Sequence, residues 1–188
     1  MPSYFKKFPT VNYNGTILTD VTRRAKFIDA IRINPLTFLP YTVSGDDRPE
    51  DVAFYYYGDA GFVWLVYLAN NIIDPYTDWV MTDSDFEKFL IKKYAAQSGT
   101  EGFEVLNWTL NATITENIIH YENIADPTLT LSPDTIILSD SSIAVSDWSP
   151  VRVYEYESRI NEDKRNVTII NKIYADSMEK ELEALLNV

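Results

Sequence analysis

The sequence contains no cysteine and a single histidine among its 188 residues. Without cysteine there is no disulfide, no thiolate nucleophile and no cysteine-ligated metal. Glycine is also scarce, and the six glycines lack the spacing that lets backbone amides surround a phosphate group. The longest apolar run extends only from Phe62 to Ala69, whereas a transmembrane helix needs roughly 20 apolar residues. These absences exclude thiol chemistry, and they predict a chain without a transmembrane helix or a secretory signal.

Acidic residues outnumber basic ones, with 28 Asp and Glu against 16 Lys and Arg and a net charge of −12. A nucleic-acid partner requires clustered Lys and Arg that neutralise phosphates, so this charge argues against one. It also disfavours an anionic membrane surface. Among 28 carboxylates some pair meets the separation that a glycosidase requires by chance alone. Carboxylate-based hydrolysis of cell walls is therefore only a third possibility.

The one histidine, His120, stands in the run Ile118-Ile119-His120-Tyr121, which predicts a β-strand. A lone histidine in such a run usually packs against neighbours, so it predicts neither a catalytic triad nor a histidine metal site. The acidic pairs near residues 46 and 84 lack the loop of a specific calcium site, and helix capping accounts for both. We therefore expect no enzymatic activity, no catalytic residue, no metal and no cofactor.

Aromatic residues are abundant, since 13 Tyr, 9 Phe and 4 Trp make up 14% of the chain. Aromatic side chains provide large contact area at little cost in side-chain entropy, which favours a core or an extensive interface. In Tyr55-Tyr56-Tyr57 three rings cover the circumference of a helical turn. At least one of these rings must therefore face outward or into a neighbour.

The chain divides into three predicted regions of an α+β protein. Residues 1–19 predict an extended arm or a short hairpin, and residues 20–96 predict a domain of helices around a strand at 36–43. A helix from Asp20 is expected to end at Pro35. Residues 97–188 change from helical to alternating periodicity, and this change predicts an antiparallel, β-rich region that ends in a helix.

Residues 47–94 carry the clearest helix signals. A helix from Pro49 to Tyr57 is expected to be capped by Asp47, with Glu50 reaching back to it, and to end at Gly58. The following helix, 61–70, is apolar on every side and must be buried all round. A short strand at 79–81 and an amphipathic helix at 84–94 complete the predicted domain.

In the C-terminal region short alternating runs predict strands at 103–105, 108–114, 129–131, 136–138, 143–145, 151–153 and 167–170. The last helix, 177–186, is expected to have Asp176 at its cap and Met178, Leu182 and Leu185 on one face.

The run Tyr41-Thr42-Val43-Ser44-Gly45-Asp46 precedes two predicted helices that are separated by Tyr57-Gly58. This arrangement, with Asn70-Asn71 and a closing strand, resembles the βααβ fold of a lysin-motif (LysM) domain. The resemblance implies, as an alternative function, binding to peptidoglycan or other N-acetylglucosamine polymers. Asp47 departs from the LysM pattern, in which Thr or Ser follows Gly-Asp.

A longer set of residues resembles the baseplate wedge subunit family of contractile-tailed phages, which carries a LysM-like domain. The motif residues are Arg48, Pro49, Glu50, Tyr57, Gly58, Trp64, Asn70, Asp74 and Pro75. The resemblance covers about residues 20–95 and 150–187.

This family resemblance implies a structural virion protein of the tail baseplate that is present in six copies and occurs in the host cytoplasm during assembly. It implies other wedge proteins, the sheath initiator and the hub as partners. The candidates for the partner interface are aromatic residues on or beside the predicted helices: Tyr55, Tyr56, Tyr67, Tyr76 and Trp79.

Overall fold

A computed structural model describes residues 7–22, 36–138 and 143–186 of the chain. It divides into two compact units. Unit 1 combines residues 1–80 with residues 164–188, and unit 2 consists of residues 81–163. Unit 2 is therefore inserted into the sequence of unit 1. This division crosses the predicted boundary at residues 96 and 97.

The described residues form seven strands and eight α-helices. The strands are β1 (Thr10–Tyr13), β2 (Thr16–Thr19), β3 (Phe38–Thr42), β4 (Ile118–Asn123), β5 (Thr130–Leu131), β6 (Trp148–Arg152) and β7 (Asn166–Ile170). The helices are α1 (Pro49–Tyr57), α2 (Val63–Asn70), α3 (Pro75–Asp78), α4 (Asp83–Ser98), α5 (Phe103–Leu110), α6 (Pro133–Leu138), α7 (Val153–Asp163) and α8 (Ala175–Leu186). Single 3-10 turns occur at Ala60–Phe62, Val145–Asp147 and Lys172–Tyr174. The α+β class is confirmed.

Unit 1 is built around the antiparallel pair β3 and β7, in which Phe38 lies opposite Ile170 and Thr42 opposite Asn166. One apolar cluster packs this pair against α1 and α2, and a second packs α2 against α8. The second cluster also holds Phe8, which is buried. The order β3–α1–α2–β7 is thus a βααβ arrangement whose last strand comes from the far end of the chain.

Unit 2 packs α4, α5 and α7 around one apolar cluster that includes Leu90, Val105 and Val153. Its sheet has the order β5–β4–β6, with antiparallel pairing throughout. Buried Asn161 ties the first residue of the unit in place, since its side chain accepts from Met81 N at 2.9 Å and donates to Met81 O at 3.1 Å.

Several predicted elements are confirmed, with small shifts at their ends. They are the strand at 36–43, the helices at 49–57, 61–70 and 84–94, and the strands at 129–131 and 167–170. The histidine lies on β4 as expected. A hairpin, β1 and β2, occupies the predicted arm. The helix predicted from residue 20 falls mainly on residues 23–35, which lie outside the described residues.

The predicted strands at 103–105 and 108–114 are wrong, because residues 103–110 form helix α5. The buried residues of this helix form two pairs, Val105 with Trp108 and Leu106 with Thr109. The members of each pair are three residues apart, which is the spacing of a helix face and not of a strand. The predicted strand at 136–138 lies in helix α6, and the one at 143–145 is also wrong, since its last residue begins a 3-10 turn. Val151 is in β6, but Val153 begins α7.

The predicted closing strand at 79–81 is wrong as well. Trp79, Val80 and Met81 are all buried in succession, whereas a strand with one solvent face would alternate. The last helix begins at Ala175, so Asp176 lies in its first turn rather than at the cap. Its buried face ends with Leu186, and Leu185 is exposed.

Candidate partner-binding surfaces

Helix α1 presents exposed aromatic residues on the side away from its buried face. Phe54 and Tyr55 are both exposed, Tyr55 to 66%, and their rings meet edge to face at 6.1 Å between centroids. Val52 and Ala53 of the same helix are fully buried. The three consecutive tyrosines therefore divide as a helical turn requires, with Tyr55 outward and the next two half-buried.

The short helix α3 holds the most exposed aromatic candidate, Tyr76, at 87%. Both ends of the helix are tied down by carboxylates. Asp74 Oδ1 accepts from Tyr76 N at 3.0 Å, and Asp78 Oδ2 accepts from the backbone amides of Ile73 and Asp74, each at 2.9 Å. The hydrogen bond from the Asp74 amide, and to a smaller extent the one from the Ile73 amide, holds the pKa of Asp78 below its usual value. The helix therefore keeps Tyr76 outward on a fixed backbone.

Tyr67 of α2 reaches across to the start of α1. Its hydroxyl donates to Glu50 Oε1 at 3.3 Å. Burial, followed by the negative charge of Glu50, raises the pKa of Tyr67 well above its usual value, so the hydroxyl stays protonated. Glu50 therefore contacts α2. The prediction that it reaches back to Asp47 is wrong.

Two of the predicted interface candidates are less accessible. Tyr56 is half-buried and packs edge-on against Tyr57 at 4.9 Å. Trp79 is 4% exposed, lies in the first core cluster and donates from Nε1 to Asp47 O at 2.9 Å. Trp79 is therefore a core residue. Its hydrogen bond to Asp47 O holds the turn that precedes α1.

Most of the motif residues have local structural roles. Arg48 is the N-cap of α1, and its backbone amide donates to Asp51 Oδ2 at 2.9 Å, so the predicted cap at Asp47 is wrong by one residue. Pro49 occupies the first turn of α1 and is buried, and Pro75 similarly begins α3. Gly58 ends α1 at φ 88°, where a side chain would be strained.

Tyr57 and Asn70 complete the outer edge of β7. Tyr57 Oη donates to Ile170 O at 2.9 Å and accepts from Ile170 N at 3.1 Å. Asn70 Nδ2 donates to Thr168 O, and Asn70 Oδ1 accepts from Thr168 N, both at 2.8 Å. Two side chains thus supply the hydrogen bonds that a third strand would make, and sequence reasoning could not find this role because the partners are distant.

The β1–β2 hairpin is exposed along its whole length. Asn14 and Gly15 both adopt positive φ, as a tight two-residue turn requires. Val11 lies opposite Leu18, and Tyr13 lies on the same face two residues along. The apolar side chains of this face were not singled out from the sequence, although the alternation Val-Asn-Tyr carries the signal.

The base of the hairpin is anchored to unit 1. Phe8 is buried in the second cluster, and Lys7 Nζ forms ion pairs with Glu179 and Glu183 of α8. The hairpin is thus attached at one end and unsupported along its faces. A two-stranded hairpin with an uncovered apolar face is marginally stable in water and gains stability when a partner covers it.

Unit 2 contains a buried carboxylate that serves packing. Glu157 is 4% exposed and accepts from Lys93 Nζ at 2.7 Å and from Tyr94 Oη at 2.5 Å. His120 Nε2 lies 3.2 Å from Glu122 Oε1, and Arg159 also donates to that carboxylate. Hydrogen bonds from His120 and then Arg159 hold the pKa of Glu122 below its usual value.

These groups form ion pairs and hydrogen bonds with one another. Within residues 7–22, 36–138 and 143–186, no group of three or more His, Asp or Glu side chains could hold a metal ion. In the same ranges, no helix has the length and apolar character needed to cross a membrane.

Comparison with known proteins identifies the family of the chain. A family model described as "Base plate wedge protein 53" matches residues 3–127. The match covers more than half of the chain. The chain belongs to the baseplate wedge protein 53 family. One curated relative is "Baseplate wedge protein gp53" of Enterobacteria phage T4, with 28% identity over 94 residues.

The aligned part is 49% of this chain and 48% of the T4 protein, so the chain spans about half the length of the curated relative that it matches. The family match contains β1–β4 and α1–α5 but ends before β7 and α8, which complete unit 1. The wedge-family prediction is thus confirmed. The resemblance proposed for residues 150–187 and the LysM-like character of the βααβ arrangement stay predictions.

Proposed function

We propose that the chain is a structural virion protein of a phage tail baseplate that acts without enzymatic activity and associates with other baseplate proteins. The membership in the baseplate wedge protein 53 family carries this proposal. The chemistry of the described side chains supports it, because the ordered polar groups cap helices, complete a strand edge and pair charges.

The exposed aromatic residues support an assembly role. Tyr55 and Tyr76 present large ring surfaces on backbone that is fixed by buried residues or carboxylate caps. Tyrosine on a rigid backbone is a typical interface residue, since it loses little side-chain entropy on binding. The anchored hairpin adds a second surface, whose apolar face is open in the free chain.

The finer role follows from the family resemblance. We propose that the chain links wedge proteins, the sheath initiator and the hub during tail assembly, with six copies in each baseplate. The net charge of −12 would keep free subunits apart before assembly and direct them to basic surfaces on partners.

The test is incorporation into particles. A phage in which the gene is disrupted is complemented with the full chain, and purified particles are assayed for the protein by quantitative mass spectrometry. We expect the chain in tails at a fixed ratio to other baseplate proteins, and particles made without it should lack complete tails. The absence of the chain from purified, infectious particles would refute the proposal. Retention of the chain on insoluble peptidoglycan would favour the LysM alternative.

A further inference from the structure

Unit 2 carries a group of exposed aliphatic side chains in residues 124–138 and 143–147, and we call these side chains the aliphatic patch. Its members are more than half exposed: Ile124, Leu129, Ile137, Leu138 and Val145. Ile137 and Leu138 stand at 77% and 81% exposure on α6, a helix in which no residue is buried. An isolated exposed leucine is ordinary, but such a group marks a surface that another molecule covers.

The segments that carry the aliphatic patch converge on the end of β4. Ile124 N donates to Asp147 O at 2.9 Å, beside Val145. On the other side Asn123 N donates to Leu129 O at 3.0 Å, where the chain turns into β5. Helix α6 follows β5 directly and packs against β4. The patch is therefore held by the sheet of unit 2.

The surroundings of the aliphatic patch are acidic. Residues 124–138 and 143–147 contain three aspartates and no lysine, arginine or histidine. Asp126, Asp134 and Asp147 are exposed. Thr128 donates to Asp126 Oδ1 from its hydroxyl and its amide, and these hydrogen bonds hold the pKa of Asp126 below its usual value. These three exposed aspartates give the patch a negative rim.

We propose that the aliphatic patch binds a second baseplate protein whose contact surface has an apolar centre bordered by Lys and Arg. This inference rests on the proposed baseplate function. An apolar centre buries the exposed aliphatic side chains, and a basic border matches the acidic rim.

The negative rim argues against other occupants. A second copy of this chain seated on the same patch would bring two sets of carboxylates together in a chain whose net charge is −12. An anionic membrane surface would be repelled for the same reason. The family match ends at residue 127, so most of the patch lies beyond the matched residues.

The first experiment measures incorporation of a patch variant. The full chain with Ile137→Ser and Leu138→Ser is compared with wild type in the complementation assay. The matched control is Phe103→Ser, because Phe103 is an equally exposed apolar residue of unit 2 outside the patch. We expect the double variant to be incorporated about tenfold less than wild type, as for the loss of an interface anchor, and the control to be unchanged. Thermal unfolding should be unaltered in both, since the substituted side chains are exposed.

The second experiment identifies the occupant. A photoreactive benzoylphenylalanine is placed at position 137, and assembled particles are irradiated and analysed by mass spectrometry. We expect a cross-link to a different tail protein at a position flanked by Lys or Arg. A cross-link to another copy of this chain, or to an acidic surface, would overturn the inference. Equal incorporation of the serine variant and wild type would also overturn it.

The two proposals fail separately. If wild-type chain is absent from particles, the baseplate function fails. If wild-type chain is present and the serine variant is present in the same amount, only the role of the aliphatic patch fails.

Discussion

Removal of the Asn70 side-chain amide should destabilise unit 1 at one identifiable place. Its amide group makes two hydrogen bonds with Thr168 and a third from Nδ2 to Val66 O, all at 2.8 Å. Asn70→Ala leaves the Thr168 amide and carbonyl at a half-buried strand edge without these partners. An unsatisfied group of this kind costs about 1–1.5 kcal/mol, so the variant should lose about 2–3 kcal/mol.

Asn70→Asp separates the contribution of hydrogen bonding from that of packing. The aspartate retains an acceptor for Thr168 N, but its second oxygen faces the carbonyls of Val66 and Thr168. At neutral pH it should therefore be at least as destabilising as Asn70→Ala. Because the folded state disfavours the charged form, the pKa of this carboxyl should be higher in the folded than in the unfolded chain. The destabilisation is complete above the folded pKa and declines as the pH falls through it towards the unfolded pKa.

Amide hydrogen exchange at Thr168, followed by NMR, is the assay that reports on this edge directly. The opening free energy of that amide should fall by about 2–3 kcal/mol in Asn70→Ala. The matched control is Asn166→Ala, an exposed position on the same strand, which should change it by about 0.5 kcal/mol or less. Wild-type protection of Thr168 in Asn70→Ala, or an Asn70→Asp variant that weakens further on acidification, would refute the reasoning.

Three further expectations concern the core and the surface. Trp64→Ala should lower the free energy of unfolding by about 3–5 kcal/mol in denaturant titrations, because the ring is buried between α2 and α8; an unchanged midpoint would place it outside the core. Glu157→Gln removes the negative charge that accepts hydrogen bonds from Lys93 and Tyr94. This variant should lower the stability of unit 2 by about 1–3 kcal/mol, measured as the opening free energy of α7 amides in hydrogen exchange. Tyr55→Ser and Tyr76→Ser should leave thermal unfolding unchanged but reduce incorporation into particles; normal incorporation would remove both from the interface.

The elements that were predicted correctly depend on local signals. Proline at the first turn and glycine at φ 88° fix the ends of α1, and the apolar run of α2 is buried as its composition requires. The Asn-Gly turn closes the hairpin for the same kind of local reason. The sequence predicts strands where helix α5 forms, because the β-branched residue at 105 and the aromatic residue at 108 both favour β-strands. Their contacts with α4 and α7, which stabilise the helix, are not visible in the sequence.

The partly buried surface was harder to predict than the helices. A turn of three tyrosines cannot bury every ring, so the sequence predicts an outward ring among Tyr55, Tyr56 and Tyr57, but only the structure shows that it is Tyr55. Trp79 could not be distinguished from them, since its burial depends on a carbonyl at Asp47, far away in sequence. The interface roles of the exposed tyrosines remain predictions that only assembly can test.

The sequence predicts the strand at 167–170 but not its pairing with β3 in unit 1, for a physical reason that also bears on assembly. Tyr57 and Ile170 are 113 residues apart in sequence, and Asn70 and Thr168 are 98 apart, so these contacts form only after the whole of unit 2 has been synthesised. Until then the face of α2 that β7 and α8 cover is open to water. The residues matched by the family all precede β7 and α8, yet the apolar clusters that hold α1 and α2 include residues of both. Helix α1, which carries Tyr55, is consequently fully packed only when β7 has joined unit 1.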